Sequence, residues 1–320
     1  MAFGFRRGPK LSAIPVILLL FLGGVWWLTS HPFPSFQLST PRSKGPPAVE
    51  IVVASMKHED TRWIPRYIAE WPRQVYVVDD PHSPLTVPVN KGREAMVYLT
   101  HLIDNYDHLA DTTIFIHASR FQWHNDDPDY DALPTLRHLN MSFVQEAGYT
   151  NLRCVWVLGC PVEIRPFDDE LRVDQLPDGT KLATKHIFKQ AFHELLPDID
   201  VPVAVGVTCC SQFAVTKETV QRRPRADYVR FRQWLIETSL VDDLSGRVLE
   251  YSWHIIFGKP AVHCPRAQDC YCNMWGLCDL TCVDRECTGR YTLPSSATLP
   301  NGWPRIGWEG EQREYSSPIP

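Results

Sequence analysis

Short apolar runs alternate with amphipathic segments, and this alternation restricts the fold more than any other feature of the sequence. Three runs have the length and β-branched content of strands: "VEIVVAS" (49–55), "QVYVVDD" (74–80) and "TTIFIHA" (112–118). Between the last two, residues 90–111 carry apolar side chains every three or four positions, as one face of a helix does. Strands that alternate with helices predict an α/β fold, with a mainly parallel sheet flanked by helices.

The pattern is less regular after residue 150. "LRCVWVLG" (152–159) predicts a fourth strand, and "VAVGVTCCSQFAVT" (203–216) predicts one or two more. Asn90 and Ser245 are expected to be helix N-caps. The α/β domain is expected to span 49–258, and its later helices are predicted at 183–196, 226–240 and 245–258.

The N-terminal segment predicts attachment to a membrane. Three basic residues precede an uncharged apolar run of 18 residues, "LSAIPVILLLFLGGVWWL" (11–28). This length is within the range of a membrane-spanning helix, and the basic flank predicts that residues 1–10 lie in the cytosol, as in a single-pass type II protein. A cleaved signal peptide is the alternative. Residues 29–48 are rich in proline and predict an extended stem.

The ten cysteines indicate an oxidising compartment, such as the Golgi or another part of the secretory lumen. Six of them lie within 264–287, which predicts a knot of three disulfides inside a cysteine-rich extension, 259–291, followed by a flexible tail, 292–320. A zinc cluster is the alternative, although paired CxxC motifs are absent from the sequence. A sequon at Asn140 predicts a glycan and agrees with this compartment.

Two further cysteines, Cys209 and Cys210, are adjacent in an apolar context. Because neighbouring side chains on a strand point to opposite faces, we expect the two thiols to diverge. One of them is then expected to pair with Cys154 or Cys160. A nucleophilic cysteine is the less favoured alternative, because an oxidising lumen consumes free thiols.

The charge of the chain argues against nucleic acid as a partner. The formal net charge is −5, and the sequence has no long basic run. Binding to a phosphate backbone requires a clustered basic surface.

Polar residues follow the predicted strands. Asp80 comes after the second strand, and His117, His124 and Asp126 come after the third. Because ligands of open α/β sheets bind at the carboxyl ends of the strands, these four residues are candidates to bind a divalent cation, Mn²⁺ or Mg²⁺, or the phosphates of a donor. The alternative is that they are polar loop residues facing water.

Two basic residues stand where a helix is predicted to begin. Lys91 and Arg93, together with the backbone amides of that turn, are candidates to bind a pyrophosphate. A capped surface helix is the alternative.

The segment 245–258 predicts a second set of site residues. Arg247, Glu250 and His254 are spaced three and four apart, so a continuous helix would place them on one face. Glu250 is the candidate general base, with His254 orienting it and Arg247 binding the donor. The alternative is a Glu–His pair that only stabilises the helix.

A resemblance to a known family is carried by three blocks of the sequence: "VNKGREAMVYLTHLIDNYDHLADTTIFIHA", "CCSQFAVTKETVQRRP" and "SGRVLEYSWHIIFG". They resemble the signature blocks of a fungal family catalogued as domain-of-unknown-function family 3431, and the resemblance covers about residues 49–258. The order of the blocks is also similar, more weakly, to that of GT-A-type glycosyltransferases, in which Glu250 would occupy the place of a late catalytic acid. The chain departs from those enzymes because His117 and Ser119, not an Asp-x-Asp motif, follow the strand "TIFI".

The second resemblance implies a glycosyltransferase-like enzyme that moves sugar from a nucleotide-sugar donor to a lumenal glycan or glycoprotein acceptor. Two alternatives stay open. One is a metal-dependent hydrolase that uses His117, His124 and nearby acids. The other is a lumenal binding or scaffold protein without catalytic activity.

Overall fold

The computed structural model describes Gly4 and residues 48–127, 130–168, 173–175 and 181–279. Every element named below lies in the compact unit Pro47–Pro320. The predicted anchor, most of the predicted stem, Cys282, Cys287 and the predicted tail lie outside the described residues. Within the described ranges, no helix has the length and apolar character needed to cross a membrane.

Nine strands and ten helices are described in this part of the chain. In chain order they are β1 (Val49–Ser55), α1 (Trp63–Tyr67), β2 (Arg73–Val77), α2 (Ala95–Asp104), β3 (Thr112–His117), α3 (Ala132–Arg137), α4 (Met141–Ala147), β4 (Tyr149–Asn151), β5 (Val173–Gln175), β6 (Lys181–Ala183), α5 (Thr184–Leu195), β7 (Gly206–Val207), β8 (Phe213–Thr216), α6 (Lys217–Gln221), α7 (Arg225–Glu237), α8 (Asp242–Glu250), α9 (Trp253–Ile256), β9 (Val262–His263) and α10 (Ala267–Trp275).

A five-stranded sheet in the order β2-β1-β3-β8-β4 forms the centre of the unit. The central strand β1 pairs in parallel with both neighbours, and its Val53 lies opposite Val75 on one side and Ile116 on the other. β8 runs antiparallel between β3 and β4, so the other four strands share one direction. The predicted α/β fold with a mainly parallel sheet is therefore confirmed.

Helices cover both faces of the sheet, which explains why its strands are continuous apolar runs. Successive side chains of β1 point to opposite faces. Val52 packs in one apolar cluster with residues of α2, α5, α7 and α8, whereas Ile51 and Val53 pack in another with residues of α1, α3 and α10. Residues after 258 contribute to the second cluster, because Tyr271 and Trp275 of α10 are buried in it.

The strand predicted at 152–159 is wrong. β4 ends at Asn151, and the following residues form a loop. In that loop the backbone N–H groups of Cys154 and Val155 donate to the Asp126 carboxylate, at 2.6 and 3.2 Å. The buried Asp126 carboxylate therefore accepts the backbone hydrogen bonds that a neighbouring strand would accept in a sheet. An apolar run in the sequence does not distinguish a loop held in this way from a strand.

Two predicted helix starts are also wrong. α2 begins at Ala95, because Gly92 and Arg93 have φ angles of +68° and +55°, which a helix cannot contain. Asn90 is therefore not its N-cap. The predicted helix 245–258 is two helices: α8 begins at Asp242 and ends at Glu250, and α9 follows a short turn. Ser245 lies inside α8 and donates its hydroxyl to the carbonyl of Val241.

The prediction that the six clustered cysteines form a knot of three disulfides among themselves is wrong as well. The disulfide Cys272–Cys278 lies within the cysteine-rich segment, whereas two others run back to the loop after β4, as the pairs Cys154–Cys270 and Cys160–Cys264. Packing of α10 against the sheet brings the Cα atoms of Cys154 and Cys270 to 5.6 Å, within the range that a disulfide bridges.

Cys209 and Cys210 form a disulfide with each other and do not diverge on a strand. They lie between β7 and β8. Cys210 and Ser211 have φ angles of +97° and +50°, so the backbone turns here and does not extend. The alternation of side chains that led to the prediction therefore does not apply.

Candidate functional site

A cavity of about 480 Å³ lies at the carboxyl edge of the parallel strands. Its walls come from the loops after β3 and β4, the turn before β8, the start of α2 and the helix α8. This is the edge at which open α/β sheets bind their ligands. Of the residues predicted to form a site, the cavity wall includes His117, His124, Arg93, Arg247 and Glu250.

The pairing of β3 with β8 brings two distant parts of the sequence together in this wall. Because the strands are antiparallel, with Phe115 opposite Phe213, the end of β3 meets the turn that precedes β8. The Nε2–H group of His117 donates to the carbonyl oxygen of Cys210 at 2.8 Å. A carbonyl only accepts hydrogen bonds, so this contact assigns the proton of a neutral His117 ring to Nε2.

Glu250 contacts the other backbone polar group of the same residue, Cys210. Its Oε1 atom accepts a hydrogen bond from the N–H group of Cys210 at 2.6 Å. Burial raises the pKa of the Glu250 carboxyl group, and the negative charge of Glu94 raises it further. Cys210 therefore connects a carboxyl group and an imidazole ring through its backbone alone.

Aromatic and imidazole rings form a further part of the cavity wall. The rings of His117 and His124 lie 4.7 Å apart, and those of Trp123 and His124 lie 4.3 Å apart, between centroids. Burial, followed by the nearby charge of His117, lowers the pKa of His124 to about 3, so this ring is neutral at ordinary pH. Trp123 leaves 47% of its surface exposed, which provides a flat apolar face at the cavity.

The charged residues of the wall are mostly acidic. Two arginines, Arg93 and Arg247, face four carboxyl groups, which gives the wall a formal charge of −2 when all are ionised. Arg93 donates to the carboxylate of Asp243 at 2.6 Å. The four acidic residues are Glu94, Glu163, Asp243 and Glu250.

Lys91 has a structural contact in place of the predicted pyrophosphate contact. Its Nζ atom donates to the carbonyl oxygens of Ile236 and Thr238, at the C-terminal end of α7. The last carbonyls of a helix have no partner within the helix and carry partial negative charge, so a lysine there stabilises the helix end.

Asp80 and Asp126 lie apart from the cavity wall. Asp80 is in the turn after β2, where it accepts from the N–H group of His82 and pairs with Lys57 at 3.2 Å. Asp126 is buried, and its carboxylate accepts from the hydroxyl group of Tyr271 at 3.0 Å as well as from the loop after β4. Its contacts thus fasten α10 to that loop.

His254 does not stack on Glu250. The turn at Tyr251 and Ser252 interrupts the helix between them, so the expected spacing of four residues along one helix is lost. His254 is fully buried, and its Nε2–H group donates to the carbonyl of Ala261 at 2.9 Å. Burial lowers its pKa to about 4. The imidazole rings in the cavity wall with Glu250 are those of His117 and His124.

The predicted cation ligands do not assemble into one group. Among the described residues, the group of potential ligand atoms close enough to share an ion comprises Cys209, Cys210 and Glu250. In the oxidised protein both sulfur atoms of that group belong to a disulfide. Asp80, His117, His124 and Asp126 do not form such a group within the described ranges.

Sequence reasoning missed several residues of the wall. Glu94 and Glu163 reach the cavity from two different loops, whereas Asp243 and Tyr251 lie at the two ends of α8. The adjacent cysteines were a visible signal, but a strand interpretation concealed their role.

Comparison with known proteins identifies the family. Residues 51–273 match the family described as "Protein of unknown function (DUF3431)". The chain belongs to this family. The DUF3431 match begins in β1 and ends in α10, so it covers the sheet, the cavity and the first cysteines of the C-terminal cluster. Searches of the curated proteins and of the solved structures each found no match.

Proposed function

We propose that this cavity is the active site of an enzyme that transfers a glycosyl group from a nucleotide-sugar donor to a hydroxyl group of a glycan or glycoprotein acceptor. The observation that carries the proposal is the Glu250 carboxyl group, which lies in the cavity wall with a raised pKa and a fixed contact to Cys210. A carboxylate with a raised pKa is a stronger base than a solvated one, and removal of the acceptor proton requires such a base.

In the proposed reaction, the Glu250 carboxylate takes the proton of the acceptor hydroxyl group as its oxygen attacks the anomeric carbon. The bond from that carbon to the diphosphate breaks, and its electron pair stays on the diphosphate. Arg93 and Arg247 line the same cavity and are suited to stabilise the charge that develops there. Trp123, at the cavity, offers an apolar face on which a sugar or base stacks.

The acidic residues of the cavity wall are a reason to expect that a divalent cation binds together with the donor. The formal charge of −2 already includes the two arginines, so the wall as a whole would repel an entering diphosphate. We therefore propose that the donor binds together with Mn²⁺ or Mg²⁺, and that acidic groups such as Glu163 or Asp243 contact the cation. The cation would supply charge neutralisation of the leaving diphosphate.

The proposal places the reaction in the lumen of the secretory pathway, such as the Golgi, with residues 11–28 as the membrane anchor. The four disulfides of the described residues support an oxidising compartment.

The test uses the full-length protein made in an oxidising host. Its thermal unfolding is followed with a panel of nucleoside diphosphates and nucleotide sugars, with and without Mn²⁺ or Mg²⁺, and release of nucleoside diphosphate is then measured with mixed glycan acceptors. We expect one nucleotide class to raise the unfolding temperature when the cation is present, because a ligand that binds the native state stabilises it.

The variant Glu250→Gln should keep this shift and lose at least about 100-fold in turnover, as expected for removal of a general base. Glu218→Gln, at an exposed position of α6, is the matched control and should retain both. Absence of a shift with every nucleotide, or undiminished turnover by Glu250→Gln, would overturn the proposal. The first result would favour the binding or scaffold alternative.

A further inference from the structure

The Cys209–Cys210 disulfide is built into the wall of the cavity and into the support of its two central side chains. Both cysteines line the cavity. The N–H group of Cys210 donates to Glu250, and its carbonyl oxygen accepts from His117. Any change in the backbone of Cys210 therefore reaches both side chains.

A buried arginine lies against one sulfur atom of this disulfide. The Nη1 atom of Arg153 is 3.4 Å from the Sγ atom of Cys210, and Arg153 leaves only 5% of its surface exposed. The same guanidinium donates to the backbone carbonyls of Trp123 and Val157 and lies 5.2 Å from the ring of Trp123. It is thereby held in place beside the sulfur.

This placement has a chemical consequence. A positive charge next to a sulfur atom stabilises the thiolate and lowers the pKa of the thiol. In thiol–disulfide exchange, the sulfur that forms the more stable thiolate leaves faster. Arg153 therefore favours cleavage in which Cys210 is the leaving group and Cys209 is the sulfur attacked.

The turn that contains the disulfide also stores an unfavourable backbone conformation. Cys210 and Ser211 have positive φ angles, a region that residues with a Cβ atom seldom occupy. The ring that joins Cys209 to Cys210 restrains this turn, so opening the ring allows the backbone to relax.

We propose that Cys209–Cys210 is a redox-active disulfide, which an external thiol opens by attack on the Cys209 sulfur atom. Reduction of this disulfide releases the Cys210 backbone from Glu250 and His117. The thiolate of the reductant bonds to the Cys209 sulfur, and the electron pair of the disulfide bond moves to the Cys210 sulfur, beside Arg153. A second reductant thiolate attacks the mixed disulfide at the reductant sulfur. Cys209 is released as a thiol, and the reductant leaves as its own disulfide. This inference does not depend on glycosyl transfer.

The test uses the oxidised full-length protein and glutathione as the probe. After brief exposure, free thiols are trapped with a maleimide and the disulfides are mapped by mass spectrometry. We expect the glutathione adduct on Cys209 and the maleimide on Cys210. The pair Cys272–Cys278, in which Cys278 is exposed and Cys272 is half-buried, serves as the internal reference for reduction. An adduct on Cys210, or an intact Cys209–Cys210 bond when the reference pair has opened, would overturn the proposal.

The variant Arg153→Met should slow formation of the adduct by about tenfold, because the leaving thiolate loses its stabilising charge. The matched control is Arg223→Met. Arg223 also donates to a backbone carbonyl and lies against an aromatic ring, Phe231, but its contacts are outside the cavity. An equal rate in Arg153→Met and wild type would remove the role of Arg153. If Arg153→Met does not fold, the position of the adduct in wild type decides.

Hydrogen exchange tests, without any assay of activity, whether opening the disulfide releases the Cys210 amide from Glu250. After glutathione treatment, the Cys210 amide should exchange at least about tenfold faster, because it no longer donates to Glu250. Unchanged exchange in protein with a proven adduct on Cys209 would show that the disulfide opens without releasing the site, which contradicts the second half of the proposal.

Discussion

At the scale of single residues, the cavity depends on backbone groups as much as on side chains. Cys210 contributes an N–H group to Glu250 and a carbonyl oxygen to His117. These contacts fix the position of the carboxyl group and the tautomer of the ring. A substitution of the Cys210 side chain is thus expected to act on the site through the conformation of the turn.

Glu250 illustrates the conflict between stability and chemistry. Because burial raises its pKa in the folded protein, the folded state binds the proton more tightly than the unfolded state does. The free energy of unfolding therefore decreases as the pH rises from the ordinary pKa of a glutamate through the raised pKa of the folded state. Below that window Glu250 is protonated in both the folded and the unfolded state, so its ionisation no longer changes the free energy of unfolding.

The variant Glu250→Gln removes this ionisation and keeps an oxygen that accepts from Cys210. At pH 8 we expect its free energy of unfolding to exceed that of wild type by about 0.5–2 kcal/mol, a common gain when a destabilising functional group is replaced. It should then unfold at a higher urea concentration than wild type. At pH 4 the difference should largely vanish. Urea unfolding at the two pH values measures it. A larger gain at pH 4 than at pH 8 would mean that the pKa of Glu250 is not raised.

At the scale of elements, the loop after β4 is held against β7 by close backbone contact. A Cβ atom at Gly159 would lie 1.9 Å from the carbonyl oxygen of Val207, and the φ angle of Gly159 is +110°. Gly258 also has a positive φ, +81°, but a Cβ atom there would meet nothing within 4 Å. Substitution at Gly258 therefore measures the destabilisation caused by the positive φ angle alone. Substitution at Gly159 adds the steric clash with the backbone of β7.

Gly159→Ala is expected to lower the free energy of unfolding by about 3–5 kcal/mol, because the backbone must shift as well as adopt a disfavoured angle. Gly258→Ala should cost about 1–2 kcal/mol, for the angle alone. Urea unfolding of the two variants and wild type provides the comparison. Equal costs would indicate that the loop moves away from β7 freely.

At the scale of the whole molecule, the segment after residue 258 is joined to the sheet by both packing and covalent bonds. α10 buries Tyr271 and Trp275 in one of the two apolar clusters. The disulfide Cys154–Cys270 closes a long stretch of chain, with a sequence separation of 116, whereas Cys272–Cys278 has a separation of 6.

The two disulfides should therefore differ in their contribution to stability. The disulfide Cys160–Cys264 closes nearly the same stretch of chain, so the comparison is made in a background with Cys160 and Cys264 replaced by alanine. In that background, replacing both Cys154 and Cys270 by alanine is expected to cost about 4–5 kcal/mol, and replacing Cys272 and Cys278 about 2 kcal/mol, since a longer closed loop restricts the unfolded chain more. Thermal or urea unfolding of the two double variants tests this. Similar costs would indicate that native packing, and not the constraint on the unfolded chain, determines the effect.

Features that depend on neighbours along the chain were predictable from the sequence, whereas features that depend on distant contacts were not. The sequence by itself determined the first three strands, because a run of apolar β-branched residues depends only on neighbours along the chain. It also indicated that His117, His124 and Arg93 follow strands or begin a helix, and all three line the cavity at the carboxyl edge. Helix boundaries were less predictable, since the positive φ angle of Arg93 has no sequence signal as clear as a glycine.

Only the tertiary structure decided which polar groups meet. Lys91 contacts the end of α7 about 145 positions later, Asp126 reaches Tyr271, and Cys210 joins Glu250 to His117. Such contacts depend on how helices and strands pack, and many sequence positions of the same chemical type are equivalent candidates before that packing is known. Local periodicity is encoded over a few residues, whereas the site and the disulfides arise from contacts across 40 to 150 residues. For that physical reason the sequence indicates an edge of the sheet, and the fold selects the residues that act there.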